Sequence, residues 1–293
     1  MISRHNVQRV AVHRVRRNST EHSSDTVANS DVFDMVAVEE PLEIRLAYNT
    51  DDGQHREQSV SVTMRTPGND FELAAGFLVG EGILHSSDDI VQMRYCVDRE
   101  KQAQDYNVLS VHLRPEVRFD PSRLLRNFYT TSSCGVCGKA SLDALEIQAC
   151  PVLPAGLPRI NAEALREIDG QLREQQSVFQ KTGGLHAAAL FDTTGNLKSV
   201  HEDVGRHNAV DKVIGERFLE ESLPLNQMAL LVSGRTSFEI MQKALMAGIP
   251  IVAAVGAPSS LSIDLAHRFG MTLLGFVRGG NFNIYAGAER IAV

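Results

Sequence analysis

The chain alternates apolar and polar positions in its first half in the way strands do. Between Val36 and Met64, Leu42, Ile44 and Leu46 alternate with polar residues, Asp51-Asp52-Gly53 supplies a turn, and Val60, Val62 and Met64 alternate again. The period of two predicts a β-hairpin. Thr66-Pro67-Gly68-Asn69-Asp70 then offers turn and N-cap chemistry ahead of Phe71 to Leu84, where Leu73, Ala74, Phe77 and Leu78 recur at helical spacing. A buried helix is therefore predicted after the hairpin. Two further alternating stretches, Ile90 to Val97 and Val108 to Leu113, complete an α+β module that ends near Arg126.

The second half has another rhythm. Asn161 can cap a helix that carries Leu165, Ile168 and Leu172 on one face, and the turn Thr194-Gly195-Asn196 separates the strand-like runs Ala187 to Phe191 and Leu197 to Val200. From about Arg206 a helix shows Val210, Val213, Ile214 and Phe218 on one face, and the apolar run Met228 to Val232 follows. Thr236 to Glu239 matches a capping box and opens a helix that Gly248 and Pro250 stop; Ile251 to Val255, Leu261 to Phe269 and Met271 to Val277 then read as strand, helix and strand. Such an order predicts right-handed crossovers and a largely parallel sheet with helices packed against it. The expected fold class is α/β in two domains. Residues 1–30 form a basic tail, 31–128 a small N-terminal α+β domain, 129–158 a loop, helix and proline-rich linker, and 159–293 the second domain.

Composition narrows the function classes. A chain of 293 residues that is 43% hydrophobic can bury a core in each of two domains, and no apolar run approaches the ~20 residues of a bilayer span. The formal net charge of −7 argues against a nucleic-acid backbone as the main partner, because that footprint is an excess of Lys and Arg. Residues 1–30 hold five arginines against Glu21 and Asp25, a net of +3, with weak apolar periodicity; they predict a segment without a fixed fold. They contain no continuous apolar stretch of the secretory kind, so the expected compartment is the cytoplasm.

Four cysteines outside an export context do not suggest a disulfide framework. Cys96 and Cys150 read as packing residues, but Cys134-Gly135-Val136-Cys137 places two thiols among small, flexible residues beside Lys139 and ahead of the helical pattern of Ser141, Leu142 and Leu145. A thiol near a helix N-terminus and a Lys is pushed toward thiolate. The pair can be half of a zinc site, a dithiol redox pair, a sulfur relay or a structural pair. Zinc needs four ligands at a structural site, and the remaining donors would have to come from His186, His201 or His207, far away in sequence. In the run His201-Glu202-Asp203-Val204-Gly205-Arg206-His207, two readings stand: a strand-to-helix turn whose residues serve geometry, or a ligand-facing cluster.

The alternation of the second domain raises a third constellation. In a parallel sheet Ser233-Gly234-Arg235, Gly256-Ala257-Pro258-Ser259 and Arg278-Gly279-Gly280-Asn281 follow strands that end on one edge, where open α/β sheets bind ligands. Backbone N–H groups with Arg235 and Arg278 suit a diphosphate, although neither a Walker A nor a G-x-G-x-x-G motif is present.

These residues resemble a known family. Thr66-Pro67, Glu72-Leu73-Ala74-Ala75-Gly76-Phe77-Leu78, Cys134-Gly135-Val136-Cys137-Gly138, Gly183-Gly184-Leu185-His186, Glu202 to Asn208 with Asp211-Lys212, Ser233-Gly234-Arg235 and Gly275 to Arg278 occur in the order found in FdhD, the formate dehydrogenase accessory sulfurtransferases. The resemblance covers about residues 35–291. It implies a sulfur carrier that takes persulfide sulfur from an IscS-like cysteine desulfurase and passes it to the molybdenum of the bis(molybdopterin guanine dinucleotide) cofactor for the formate dehydrogenase apoenzyme. It also implies a cytidine-deaminase-like, three-layer second domain and guanine nucleotide binding. From charge, apolar run lengths and the missing ligand set, no nucleic-acid or membrane partner and no permanent metal are expected, and a homodimer stays open. By the same resemblance Cys134 carries the persulfide, and Phe276, Val277, Arg278, Gly279, Gly280 and Asn281 hold the cofactor; Cys137 is expected to assist transfer or to resolve a disulfide, and Ser233, Gly234, Arg235 and His186 are further cofactor candidates. Asn281 stands where many relatives carry a basic residue. Two rivals remain. A zinc deaminase needs His-x-Glu followed by Pro-Cys-x-x-Cys, whereas here Ser133 precedes Cys134 and the segment reads His201-Glu202-Asp203. A chaperone that only binds the cofactor would show the same Gly and Arg loops, and the paired thiols argue against it.

Overall fold

The computed structural model describes residues 6–17, 27–50, 52–97, 105–117, 119, 142, 150–220 and 223–292. The thiol pair Cys134 and Cys137 lies outside the described residues.

The basic tail is not without structure. Strand β1 (Val7–Arg17) pairs antiparallel with β2 (Val27–Ala37), from Val7 opposite Ala37 to Arg17 opposite Val27. The β-branched Val7, Val10, Val12 and Val15 favour extended backbone, and the charges that argued for disorder instead pair across the ribbon. His13 meets Asp31 at 2.8 Å, Arg14 meets Asp34 at 3.5 Å, and the Arg9 guanidinium sits 3.9 Å from the centre of the Phe33 ring.

The predicted hairpin forms as β3 (Glu40–Asn49) and β4 (His55–Arg65), followed by helix α1 (Asp70–Gly80) and the strands β5 (Ile90–Tyr95) and β6 (Val108–Leu113). The sheet order is β4-β3-β6-β5, with β3 and β6 parallel and the other two pairs antiparallel.

The second half opens with β7 (Ile160–Asn161) and α2 (Ala162–Gln175), where the Asn161 side chain accepts from the Glu163 N–H at 2.9 Å as the capping pattern required. After α3 (Ser177–Thr182) come β8 (His186–Asp192), β9 (Leu197–Asp203), α4 (Arg206–Leu219), β10 (Met228–Val232), α5 (Phe238–Met246), β11 (Ile251–Ala254), α6 (Ser260–Arg268), β12 (Thr272–Arg278) and β13 (Asn281–Ala286). A short β14 (Ile291–Ala292) pairs with β7. The six-stranded order is β13-β12-β11-β10-β8-β9.

Only the centre of this sheet, β10-β11-β12, is parallel; β8, β9 and β13 run antiparallel to their neighbours. The expectation of a largely parallel sheet fails at the flanks because tight turns join β8 to β9 and β12 to β13, and a tight hairpin joins only antiparallel strands. In the second turn Gly279 and Gly280 take φ of 57° and 76°, the left-handed conformation that two-residue hairpins use.

Period-two alternation divides the core between the faces of the sheet. Ala187, Ala189, Phe191, Ala229 and Leu231 pack with Leu165, Ile168 and Leu172 of α2. Ala188, Leu190, Leu230 and Val232 join the other cluster, which holds Val210 and Val213 of α4, Ile240 of α5 and Leu265 of α6. These are three layers. The second cluster continues without a break into Leu73, Ala74 and Leu78 of α1 and Leu42, Ile44 and Leu46 of β3.

The join between α1 and α4 is made by two glycines. A Cβ at Gly76 would stand 1.8 Å from the Asp211 carbonyl oxygen, and one at Gly215 would stand 1.8 Å from that of Glu72. Only bare backbone allows so close a crossing.

Candidate functional site

Buried ion pairs flank the crossing and fix what surrounds it. The fully buried Arg65 guanidinium donates to both Asp70 oxygens at 2.9 and 3.0 Å, and the Tyr95 hydroxyl donates to the same carboxylate at 3.0 Å. Asp203 and Lys212 approach to 2.8 Å; the Thr66 N–H donates to Asp203 at 3.1 Å, and the Lys212 ammonium donates to the Thr66 carbonyl at 2.9 Å. The Asn208 amide donates to the Met64 carbonyl at 2.7 Å. Much of the run His201 to His207 therefore serves geometry, one of its two readings, and Glu202 itself accepts the Val178 and Phe179 N–H groups that start α3. His201 is likewise committed, its Nε2 lying 3.2 Å from Glu216; burial lowers the affinity of its ring for a proton. Among the described residues no three His, Cys, Asp or Glu side chains converge in a way that could hold a metal ion.

The carboxyl ends of the parallel strands do come together. The Gly256 N–H donates to the Gly234 carbonyl at 3.0 Å, and the Phe276 N–H donates to the Gly256 carbonyl at 3.1 Å, so the loops after β10 and β11 and the outer end of β12 form one backbone shelf. Ser233 faces inward, its hydroxyl accepting from the Ala187 N–H at 2.9 Å. Arg235 and Arg278 are exposed on this edge, while Val277 is buried.

Phe276 has φ of 56°, a left-handed backbone that costs an aromatic residue strain of the order of ~1–3 kcal/mol and marks functional sites more often than scaffolds. Gly275 precedes it because a Cβ there would stand 2.9 Å from the Tyr285 ring and 3.0 Å from Pro258. Asn281 pairs with Arg278 across the β12–β13 turn and donates to the Gly279 carbonyl at 3.1 Å, so its amide is occupied in shaping the turn.

His186 begins β8 beside this shelf. A Cβ at Gly234 would stand 3.5 Å from His186 Nδ1 and 3.7 Å from Arg206 Cδ, which puts these three residues in one place. Burial first, then the Arg206 and His207 charges, lowers the proton affinity of the His186 ring; Asp203 opposes them only in part.

The expected capping box at Thr236 to Glu239 does not form. Ser237 is the N-cap residue of α5 and makes no side-chain cap, and the Thr236 hydroxyl is buried without a partner among the described residues. Glu239 turns instead to His207, at 3.0 Å, a charge-assisted contact worth more than a neutral cap. Below this pair a cavity of about 310 Å³ opens between α1, α4, α5 and the β3–β4 hairpin, with the Asp211–Lys243 pair, 2.7 Å apart, in its wall. Burial pushes the Asp211 carboxyl up to about 6 even beside the Lys243 ammonium.

The arrangement thus offers an anion-friendly edge: a backbone shelf, a strained aromatic, exposed Arg235 and Arg278, and a histidine and an arginine behind Gly234. Arg206 belongs to the run His201 to His207, for which the sequence leaves a geometric and a ligand-facing reading open. Its signal was its position, the first residue of a 14-residue helix with Gly205 as N-cap. Of the two remaining cysteines, Cys96 is exposed and Cys150 packs its sulfur 3.6 Å from that of Met246.

Residues 37–292 match the sequence model of the FdhD/NarQ family. A relative from Streptomyces coelicolor described as a sulfur carrier protein FdhD is 52% identical over 262 residues, covering 89% of this chain and 90% of the relative. One of the same description from Sulfurisphaera tokodaii is 43% identical over 285 residues, covering 97% of this chain and 99% of the relative. A solved structure described as a formate dehydrogenase accessory protein from Desulfotalea psychrophila superposes with a TM-score of 0.69 at 24% identity, covering 97% of this chain and 99% of the other, and supports the fold. With the family's match spanning the four-stranded sheet, the helix crossing and the whole six-stranded sheet, this chain belongs to the FdhD/NarQ family.

Proposed function

We propose that the protein is a sulfur carrier in the maturation of formate dehydrogenase. The observation that carries the reading is about one-half identity, over nine-tenths of the chain, to relatives described as sulfur carrier proteins, in a chain that has the Cys134-Gly135-Val136-Cys137 pair. In this reading the Cys134 thiolate attacks the terminal sulfur of a cysteine desulfurase persulfide. The S–S bond of the donor breaks, its thiolate leaves, and Cys134 holds the sulfur as a new persulfide with no net oxidation. Attack by Cys137 on the inner sulfur of that persulfide then releases hydrosulfide and leaves a Cys134–Cys137 disulfide, two thiols being oxidised as one sulfane sulfur is reduced. The acceptor is the molybdenum of a guanine dinucleotide cofactor, bound as substrate. Its diphosphates suit the edge formed by Gly234, Arg235, Phe276 and Arg278, because backbone N–H groups and guanidinium forks bind phosphoryl oxygens in a protein whose overall charge of −7 would otherwise repel them.

The test is to incubate the protein with a cysteine desulfurase and cysteine and to follow the tryptic peptide containing Cys134 by mass spectrometry. The reading expects one added, reducible sulfur on Cys134 and none in Cys134→Ala. Sulfur acceptance and delivery by Cys134→Ala at the wild-type rate would remove the assignment and favour a protein that only escorts the cofactor.

A further inference from the structure

The cavity beneath the His207–Glu239 pair has no part in the function proposed above. Its volume of about 310 Å³ falls at the lower end of the ~300–1,000 Å³ that small-molecule sites occupy. Its lining divides by chemistry. Ile44, Leu73 and Phe77 contribute apolar surface, and β4 adds the hydroxyls of Ser61 and Thr63. The charges do not balance: among the described residues three carboxylates, Glu81, Asp211 and Glu239, line the cavity against one permanent cation, Lys243.

The state of Asp211 separates this lining from an ordinary void in a core. The residue is 3% exposed, and its Oδ1 accepts no hydrogen bond among the described residues, although Lys243 Nζ stands 2.7 Å away. The Lys243 ammonium donates instead to the other oxygen, Oδ2, at 3.0 Å. Burial raises the proton affinity of Asp211 by more than Lys243 lowers it; Glu81 adds to the rise and His207 opposes it. One cation is therefore too little for this carboxylate, and the surroundings that favour a proton on it also favour a second cation beside it. Phe77 suits such a guest, because the centre of its ring lies 5.5 Å from the Lys243 ammonium, within the range of cation–π attraction. A bare metal ion does not fit, since no three His, Cys, Asp or Glu side chains converge among the described residues. The apolar residues require instead a cation with a hydrocarbon body.

We propose that this cavity is a binding site for a small aliphatic amine, taken up as its ammonium. The charged head would sit at Asp211 and Glu239, and the chain would lie along Ile44, Leu73 and Phe77. The site shares no lining with Gly234, Arg235, Phe276 or Arg278 and does not depend on the sulfur-carrier reading.

The probe is n-butylammonium chloride, titrated into the full-length protein at constant ionic strength, with butyrate and 1-butanol as isosteres of opposite and of no charge. The methyl signals of ¹³C-labelled Ile44 and Leu73 report occupancy by NMR. At pH 7 butylammonium should shift them saturably below about 10 mM, and both isosteres should bind at least about tenfold more weakly. The charged groups around Asp211 are Glu81 after α1, His207 of α4, and Glu239 and Lys243 of α5, while the β3–β4 hairpin adds uncharged side chains to the lining. The cation needs an ionised Asp211, whose carboxyl is pushed up to about 6, so affinity should fall roughly tenfold from pH 7 to pH 5. Asp211→Asn should lose that slope and His207→Gln should keep it. Equal affinity for butanol or butyrate would make the cavity merely apolar and overturn the site. Methyl signals that butylammonium leaves in place, or a slope that His207→Gln removes, would overturn it too. Asp211→Asn strands the buried Lys243 charge; should it fail to fold, Ser61→Leu decides, since it fills the cavity from the edge strand β4. That variant should abolish the butylammonium shift, and unchanged affinity in it would overturn the proposal.

Discussion

Replacing Gly215 by alanine tests the helix crossing that joins the two halves of the core. The new Cβ would stand 1.8 Å from the Glu72 carbonyl oxygen and 2.6 Å from the Gly76 nitrogen, whereas a carbon rests about 3.3–3.6 Å from an oxygen. About 1.5 Å must be found. Both obstacles are backbone of α1, and that helix is held at its start by the buried Arg65–Asp70 pair, so no side chain can swing aside. Overpacking costs about 1–3 kcal/mol where neighbours can adjust, and more where they cannot. Against this stands the helix preference for alanine over glycine, about 1 kcal/mol in the other direction. The net expectation is a loss of at least about 2 kcal/mol, or a melting temperature lower by roughly 3 °C or more for a chain of this size. Gly170 is the matched control. It lies exposed inside α2 with nothing within 4 Å of its would-be Cβ, so Gly170→Ala should gain up to about 1 kcal/mol. Differential scanning fluorimetry of both variants gives opposite signs if the crossing is as close as described. A Gly215→Ala protein as stable as Gly170→Ala would refute it.

Other outcomes follow from single contacts. Lys212→Met leaves the fully buried Asp203 carboxylate without its cation and should cost about 3–5 kcal/mol in urea unfolding; a loss below 1 kcal/mol would mean that the Thr66 clasp does not depend on the pair. Partial burial raises the Asp192 proton affinity, but Lys198, Thr194 and Asn196 outweigh it and hold the carboxyl well below the usual carboxylate range. The depressed value means that its contribution is present above the unfolded pKa of about 4 and is lost as pH falls further, so Asp192→Asn and wild type should differ in stability at pH 6 and converge in acid. A difference that grows toward acid would reverse the sign of the argument. Arg278→Ala should weaken guanosine diphosphate at least tenfold, and equal affinity would move the phosphate contact away from the β12–β13 turn.

Local chemistry was legible where a rule has one outcome. The Asn161 cap, the alternation in β3, the strand-like run that becomes β8, and the helical face of Val210, Val213 and Ile214 all appear at the expected positions because each answers to its own neighbours. The strand β13 was hidden by its approach: Gly279-Gly280 read as a ligand loop, and only their left-handed backbone turns Asn281 to Ala286 back along β12. The N-terminal ribbon was hidden by its charges, which look like those of a disordered segment until Asp31 stands opposite His13. Asp203 and Lys212 carry nothing in the sequence that marks them as buried; their burial follows from Thr66, more than a hundred residues earlier. Glu239 sits where a capping box would use it, and His207 of another helix wins it. The loops at the sheet edge could be listed from the order of elements, but the meeting of His186, Gly234 and Arg206 needed β8, β10 and α4 in place.

The central claim, that sulfur travels on this protein, is tested most directly by delivery. Protein loaded with isotopically labelled sulfur, freed of the desulfurase and then given the guanine dinucleotide cofactor and formate dehydrogenase apoenzyme, should lose the label from Cys134 and activate the enzyme in proportion to the label transferred. Activation that proceeds while the label stays on Cys134, or that Cys134→Ala supports equally well, would contradict the account.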